Sequence, residues 1–116
     1  MPGMMKEQEL SDTSENLIQE LRRGVLVLAT LSQLREAKYG YELMNDMAQR
    51  GLEIEQGTLY PLLRRLEAQG LLHSKWNVEG SRPRRYYQIS APGLRLLESL
   101  KTSWHKLTDV VGALLE

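Results

Sequence analysis

With 116 residues the chain is long enough for one domain with a real but thin core. It holds no cysteine, which excludes a disulfide framework, a thiolate metal site and a cysteine nucleophile. Fifteen basic residues match fifteen acidic ones, no apolar run nears the roughly 20 residues that cross a bilayer, and no charged-then-apolar leader opens the chain, so the expected location is the cytoplasm and no membrane partner is expected.

Residues 1–11 lack periodicity and are expected to form a disordered tail. Asp12, with Glu15 three residues on, has the form of a capping box. Leu17, Leu21, Val25, Leu28 and Leu31 then recur at helical spacing. Leu26 and Val27 widen that face, so this helix, running to about Leu34, is expected to pack against two partners. A polar link from Arg35 to Lys38 leads to Tyr39-Gly40-Tyr41. That triplet opens a shorter helix with Leu43, Met44 and Met47 inward, ended by Gly51. After a turn from Leu52 to Glu55, Leu59, Leu62, Leu63 and Leu66 mark a third helix, closed at Gly70.

Pro61 interrupts this third helix. If Thr58 is its N-cap, the proline removes no hydrogen bond. If the helix starts near Gln56, the Gly57 carbonyl loses its donor.

From Leu71 the period changes. Leu71–Asn77 and Arg84–Ser90 read as strands, and Val78 to Pro83 between them is turn chemistry. A two-stranded hairpin alone is marginal, so it must pack on the helices. Ser90 is a natural N-cap and Pro92 falls in the first turn of the next helix. There Leu97, Leu100, Trp104, Leu107, Val111 and Leu114 step alternately by three and four. Some 25 residues make a rod of roughly 37 Å, more than one small domain covers. Its seam either packs on the first helix or meets a second copy. The first helix has spare apolar surface too. A dimer interface through Leu17, Leu21, Leu97, Leu100, Trp104, Leu107, Val111 and Leu114 is therefore expected. The fold class is mainly α with a small β-hairpin: a winged helix-turn-helix over residues 12–90, then a long C-terminal dimerisation helix over 91–116.

Charge is unevenly placed in this neutral chain. Between Gln56 and Ser90 six basic residues (Arg64, Arg65, Lys75, Arg82, Arg84 and Arg85) face two acidic ones, Glu67 and Glu79. A basic face of this kind suits double-stranded DNA, although it also fits a solvated surface. Gln56 and Thr58 lie at the start of the third helix, where side chains and free N–H groups reach base edges or phosphate. Tyr60 lies off the leucine face and is expected to be exposed. Arg64 is expected to face the major groove, with Arg65 divided between DNA and solvent. Tyr39 is assigned to phosphate and Tyr41 to packing. Arg82, Arg84 and Arg85 lie on the wing, and strand alternation lets only one of Arg84 and Arg85 point at a given groove.

Trp104 has two readings. It is either dimer core or a stacking platform for a planar or cationic effector. In the second case Leu100, Leu107 and Val111 are walls, and Ser103, Thr108 and Asp109 add polar contacts. His73 and His105 lie in separate elements, so neither a metal site nor a catalytic triad is expected. Gly40 and Gly57 are isolated, so no phosphate-cradling loop and no cofactor are expected, and the chain does not read as an enzyme.

The run Gly57-Thr58-Leu59-Tyr60-Pro61-Leu62-Leu63-Arg64-Arg65-Leu66-Glu67 follows Tyr39-Gly40-Tyr41-Glu42-Leu43. It precedes Gly70-Leu71-Leu72, Trp76, Arg82-Pro83-Arg84-Arg85-Tyr86-Tyr87 and Ser90-Ala91-Pro92-Gly93. At these spacings the chain resembles the PadR-like transcriptional regulators, in particular the short members with a single C-terminal helix. The match covers about residues 20 to 115. The resemblance implies a homodimeric DNA-binding repressor, often of a transporter or detoxification gene, and the two-fold symmetry implies a roughly palindromic operator. Many members are released from DNA by small aromatic or cationic compounds. In the short drug-binding members a tryptophan on the last helix lines a pore between subunits, and Trp104 matches it. Glu55 departs from the family, which often carries serine there, so a phosphate contact at that position is not expected. The competing reading is a winged-helix protein-interaction module without DNA binding. The two differ in whether Arg64, Arg82 and Arg84 or Arg85 share one face with Tyr60.

Overall fold

A computed structural model describes residues 3–116. In chain order the elements are α1 (Glu7–Ser32), β1 (Lys38–Tyr39), α2 (Gly40–Gln49), α3 (Gln56–Ala68), β2 (Leu72–Asn77), β3 (Arg84–Ile89) and α4 (Ala91–Leu114). The expected order of three helices, a hairpin and a long helix is present. A third strand joins the hairpin, giving one antiparallel sheet in the order β1-β3-β2. Lys38 pairs with Tyr87 and Tyr39 with Tyr86. The segment read as a polar link therefore ends in a strand, which at two residues is too short to show a period.

The leucine faces converge as their spacing dictates. Leu31 and Leu34 from the end of α1, Leu43 from α2, and Leu59, Leu63 and Leu66 from α3 are all fully buried. Leu72, Tyr87 and Ile89 close the core from the sheet. α3 ends at Gly70, whose φ of +81° suits a residue without Cβ. Its N–H reaches the Glu67 carbonyl and that of Leu71 reaches the Leu66 carbonyl, both at 2.9 Å, the paired bonds of a Schellman stop.

The hairpin hands the chain to α4 through one residue. Ser90 donates its N–H to the Leu71 carbonyl at 3.0 Å. Its hydroxyl donates to the Gly70 carbonyl at 2.6 Å and accepts the Gly93 N–H at 3.0 Å, as an N-cap does. Gly93 is buried there, and a Cβ on it would collide with the Leu71 carbonyl and with Ile89.

Several expectations need correction. α1 starts at Glu7, so Glu7–Ser11 are helical rather than a tail, while Met1 and Pro2 of the expected tail lie outside the described residues. Nothing in that stretch breaks a helix, and Glu7 and Glu9 complement the dipole of its first turn. Asp12 is thus inside the helix and caps nothing; it accepts a hydrogen bond from Gln8 at 3.0 Å. Leu97 is 0% exposed and belongs to the core of its own protomer. It lies one turn after Gly93, before α4 leaves the body of the domain, so it is not available to a second copy.

Beyond that point the two long helices extend past the core. Every residue from Lys101 onward is exposed. The radius of gyration is 17.6 Å, against about 13 Å for a compact chain of this length. The longest dimension is 63 Å.

Candidate nucleic-acid interface

The start of α3 carries the first group of polar side chains. Glu55 is its N-cap position and Gln56 its first helical residue. Thr58 is therefore inside the helix rather than its N-cap, and its N–H bonds the Glu55 carbonyl at 3.0 Å. Pro61 is one and a half turns in, so the Gly57 carbonyl does lose its donor. Pro61 and Gly57 are both exposed, and solvent reaches the freed carbonyl side of the helix. Gln56, Thr58, Arg64 and Arg65 are exposed on the same helix.

Tyr60 is half-buried rather than exposed. One step round the helix from the buried Leu59, its ring reaches the start of α2. A Cβ on Gly40 would sit 2.6 Å from its Cε1 and 2.7 Å from its hydroxyl oxygen. Tyr39 precedes that glycine and is half-buried, its ring edge-on to Tyr86 at 5.5 Å. Arg84 stacks its guanidinium over the Tyr39 ring, 4.6 Å from the centroid. Tyr41 is exposed rather than packed.

These residues border two adjoining hollows. One, of about 390 Å³, is lined by Tyr39, Gly40, Tyr60, Arg64, Trp76, Pro83, Arg84, Arg85 and Tyr87. The other, of about 460 Å³, is lined by Tyr39, Tyr41, Gln56, Tyr60, Arg82, Pro83 and Arg84. They share Tyr39, Tyr60, Pro83 and Arg84, so the starts of α2 and α3 and the wing form one continuous surface. Arg64, Arg82 and Arg84 lie on it together. Arg65 and Thr58 border neither hollow. Tyr41 and Trp76 border the surface and had not been singled out as contacts. The strand register gives the signal for Trp76, since it is the cross-strand partner of Arg85.

Arg84 and Arg85 do point to opposite faces of β3 and have different partners. Arg85 Nη2 donates to Glu67 Oε1 at 2.8 Å, and its Nε donates to Ser74 Oγ at 2.9 Å. The expectation of Arg85 as a free DNA contact is thereby corrected: its charge faces a carboxylate of the same protomer. Beside it, burial pushes the Tyr87 phenol above its ordinary pKa, and the neighbouring Arg85 charge pulls partly the other way.

A second surface lies between α1 and α4. Leu21, Gly24, Val25 and Leu28 face Leu100, Ser103, Trp104, Leu107, Thr108, Val111, Gly112 and Leu115 across an apolar groove of about 590 Å³. Trp104 is 40% exposed within it. Leu17 and Leu114 lie outside its lining and are more exposed still. Asp109 does not border it. Among the described residues no helix is long and apolar enough to cross a membrane, and no cluster of three acidic or histidine side chains is placed to hold a metal.

Comparison with known proteins bears on the same elements. The family model for the transcriptional regulator PadR-like family matches residues 27–99, from the buried half of α1 into α4. A transcriptional regulator of Mycobacterium tuberculosis is 32% identical over 97 residues, covering 82% of this chain and 91% of that protein. The crystal structure of a PadR family transcriptional regulator from Eggerthella lenta superposes with a TM-score of 0.84 at 52% identity, over 92% of this chain and 96% of that one. A PadR-like regulator from Bacillus cereus gives 0.74 at 32% identity, over 84% and 97%. This chain therefore belongs to the PadR-like family of transcriptional regulators.

Proposed function

We propose that the protein is a homodimeric repressor that reads a roughly palindromic operator with α3, with the wing beside it. The observation that carries this reading is the shared surface of Gln56, Tyr60 and Arg64 from α3 with Tyr39, Arg82 and Arg84 from β1 and the wing. A protein-interaction module would not need three unpaired arginines on the face of its helix-turn-helix. In the repressor, Arg64 reads a base edge or holds a phosphate, and Arg82 and Arg84 hold backbone along the adjacent groove. Gln56 and Thr58 lie where the helix N-terminus meets the duplex, and Arg65 adds charge at its margin.

Dimerisation joins the exposed apolar faces of α1 and α4. Leu17, Leu21, Leu100, Trp104, Leu107, Val111 and Leu114 leave more apolar surface in water than a stable monomer usually shows. Trp104 in the groove, with Leu100, Leu107, Thr108 and Val111 around it, offers a planar or cationic effector a ring face and apolar walls. Such an effector lowers operator affinity only by preferring one of two subunit spacings.

Mobility shift of genomic duplex fragments at several salt concentrations tests the reading. Retarded fragments whose affinity falls steeply with salt are expected. Absence of any shift at low salt would remove DNA binding. Arg64→Ala should weaken the selected operator about tenfold, the order of one specific contact.

A further inference from the structure

We propose that Glu67, Ser74 and Arg85 form a lock that sets the wing against α3, so that Arg85 acts on DNA affinity through Glu67 and not by touching the duplex. The proposal rests on the DNA-binding reading above. It starts from a charge that the reading leaves over: Arg85 lies beside Arg84 in sequence, yet its guanidinium is held inside the protomer.

The three side chains close a ring. Arg85 Nη2 donates to Glu67 Oε1 at 2.8 Å. The Ser74 hydroxyl donates to Glu67 Oε2 at 2.6 Å and accepts from Arg85 Nε at 2.9 Å. Both carboxylate oxygens are thus engaged, and the serine both gives and receives. The ring draws one member from α3, one from β2 and one from β3. Among the described residues no other side-chain hydrogen bond joins α3 to the hairpin. Arg85 is also held between rings, 5.8 Å from the Trp76 centroid and 5.5 Å from that of Tyr87. The ion pair is only part-exposed, so it is screened less than a surface pair.

Position gives the ring its consequence. Glu67 is one helical turn after Arg64 on α3, and Arg85 is next to Arg84 on β3. The ring therefore fixes the separation of the two arginines that line the DNA-facing hollow from opposite elements. Glu67 is a carboxylate close to a polyanion-binding face. Electrostatics alone says that removing it tightens DNA binding, whereas the lock says that removing it loosens the wing and weakens binding. The opposed signs make the idea testable.

The chain has no cysteine, so Ala68→Cys and Ser81→Cys accept a pair of spin labels, one at the end of α3 and one at the wing tip. In the free dimer the label separation is expected to be narrow and to broaden in Glu67→Ala and Arg85→Ala. Operator affinity is expected to fall about tenfold in each single variant and no further in the double variant. The slope of log affinity against log salt stays unchanged in Arg85→Ala, while Arg84→Ala lowers it by about 0.9, one phosphate. Glu67→Gln shows the same directions at smaller size and replaces the alanine variant if that one fails to fold. A Glu67→Ala protein that binds equally or more tightly overturns the lock, as does a slope that drops in Arg85→Ala or a label separation that stays narrow. Should wild-type protein retain no duplex at low salt, the DNA reading falls and takes the lock's role in binding with it; the label arm still reports separately whether the ring holds the wing.

Discussion

Gly40 has no room for a side chain, because Tyr60 lies across it at 2.6 Å. Gly40→Ala must displace an aromatic ring that lines both hollows of the DNA face. Operator affinity should drop at least tenfold while the thermal midpoint moves by a few degrees, and melting and mobility shift on the same preparation separate the two effects. Thr30 presents the opposite case. It is fully buried and its hydroxyl has no partner, at a cost on the order of 1–3 kcal/mol. Thr30→Val keeps the branched shape and should raise the unfolding free energy by about 1 kcal/mol, read from a denaturant midpoint with unchanged slope. Tyr87 carries the pH dependence. Its folded pKa is raised by burial, so the folded state holds the phenolic proton more tightly than the unfolded chain, whose pKa is about 10. The associated stability is fully present below that value and is lost as pH rises through it. Thermal midpoints across this range should fall in wild type and fall less in Tyr87→Phe.

Among the elements, the junction of hairpin and α4 depends most on one residue. Ser90→Ala removes the cap on Gly93 and the bond to the Gly70 carbonyl together. A lost cap costs about 1 kcal/mol and up to about 2 in tighter settings, so the variant should melt earlier and lose exchange protection first in the opening turn of α4. The same elements show what was legible in the sequence. The leucine spacing located α2 and α3, and the Ser90-Ala91-Pro92-Gly93 run located the start of α4, because each depends on local pattern. β1 was not legible, since its two residues become a strand only by pairing with β3 across half the chain. The start of α1 was missed because Asp12 and Glu15 imitate a cap inside a helix that nothing before them interrupts. Arg84 and Arg85 look alike in sequence. Alternation separates them onto two faces, but only the position of Glu67 on another element decides which one is neutralised. Leu97 fits a heptad seam by spacing, yet the seam and the core overlap where α4 leaves the domain, and spacing does not mark that crossing.

At the scale of the whole molecule, the apolar groove between α1 and α4 governs assembly. A charge at its centre should undo a dimer built on these faces. Leu107→Glu is expected to give a half-mass species in sedimentation, to keep its helical circular dichroism, and to bind a full operator far more weakly than wild type, with little loss on a single half-site. If the variant sediments as wild type does, the dimer runs through another surface.

Gly93, buried against the Leu71 carbonyl with no space for a methyl group, bears on motion. The wing and the root of α4 cannot slide past one another there, so they turn as one piece. α4 spans 24 residues, a shaft of about 36 Å at 1.5 Å per residue. A rotation of only about 5° at its far end corresponds to roughly 3 Å at the other over such a shaft. Leverage of this kind converts a small change at the tips of two long helices into a mismatch with the fixed spacing of two grooves.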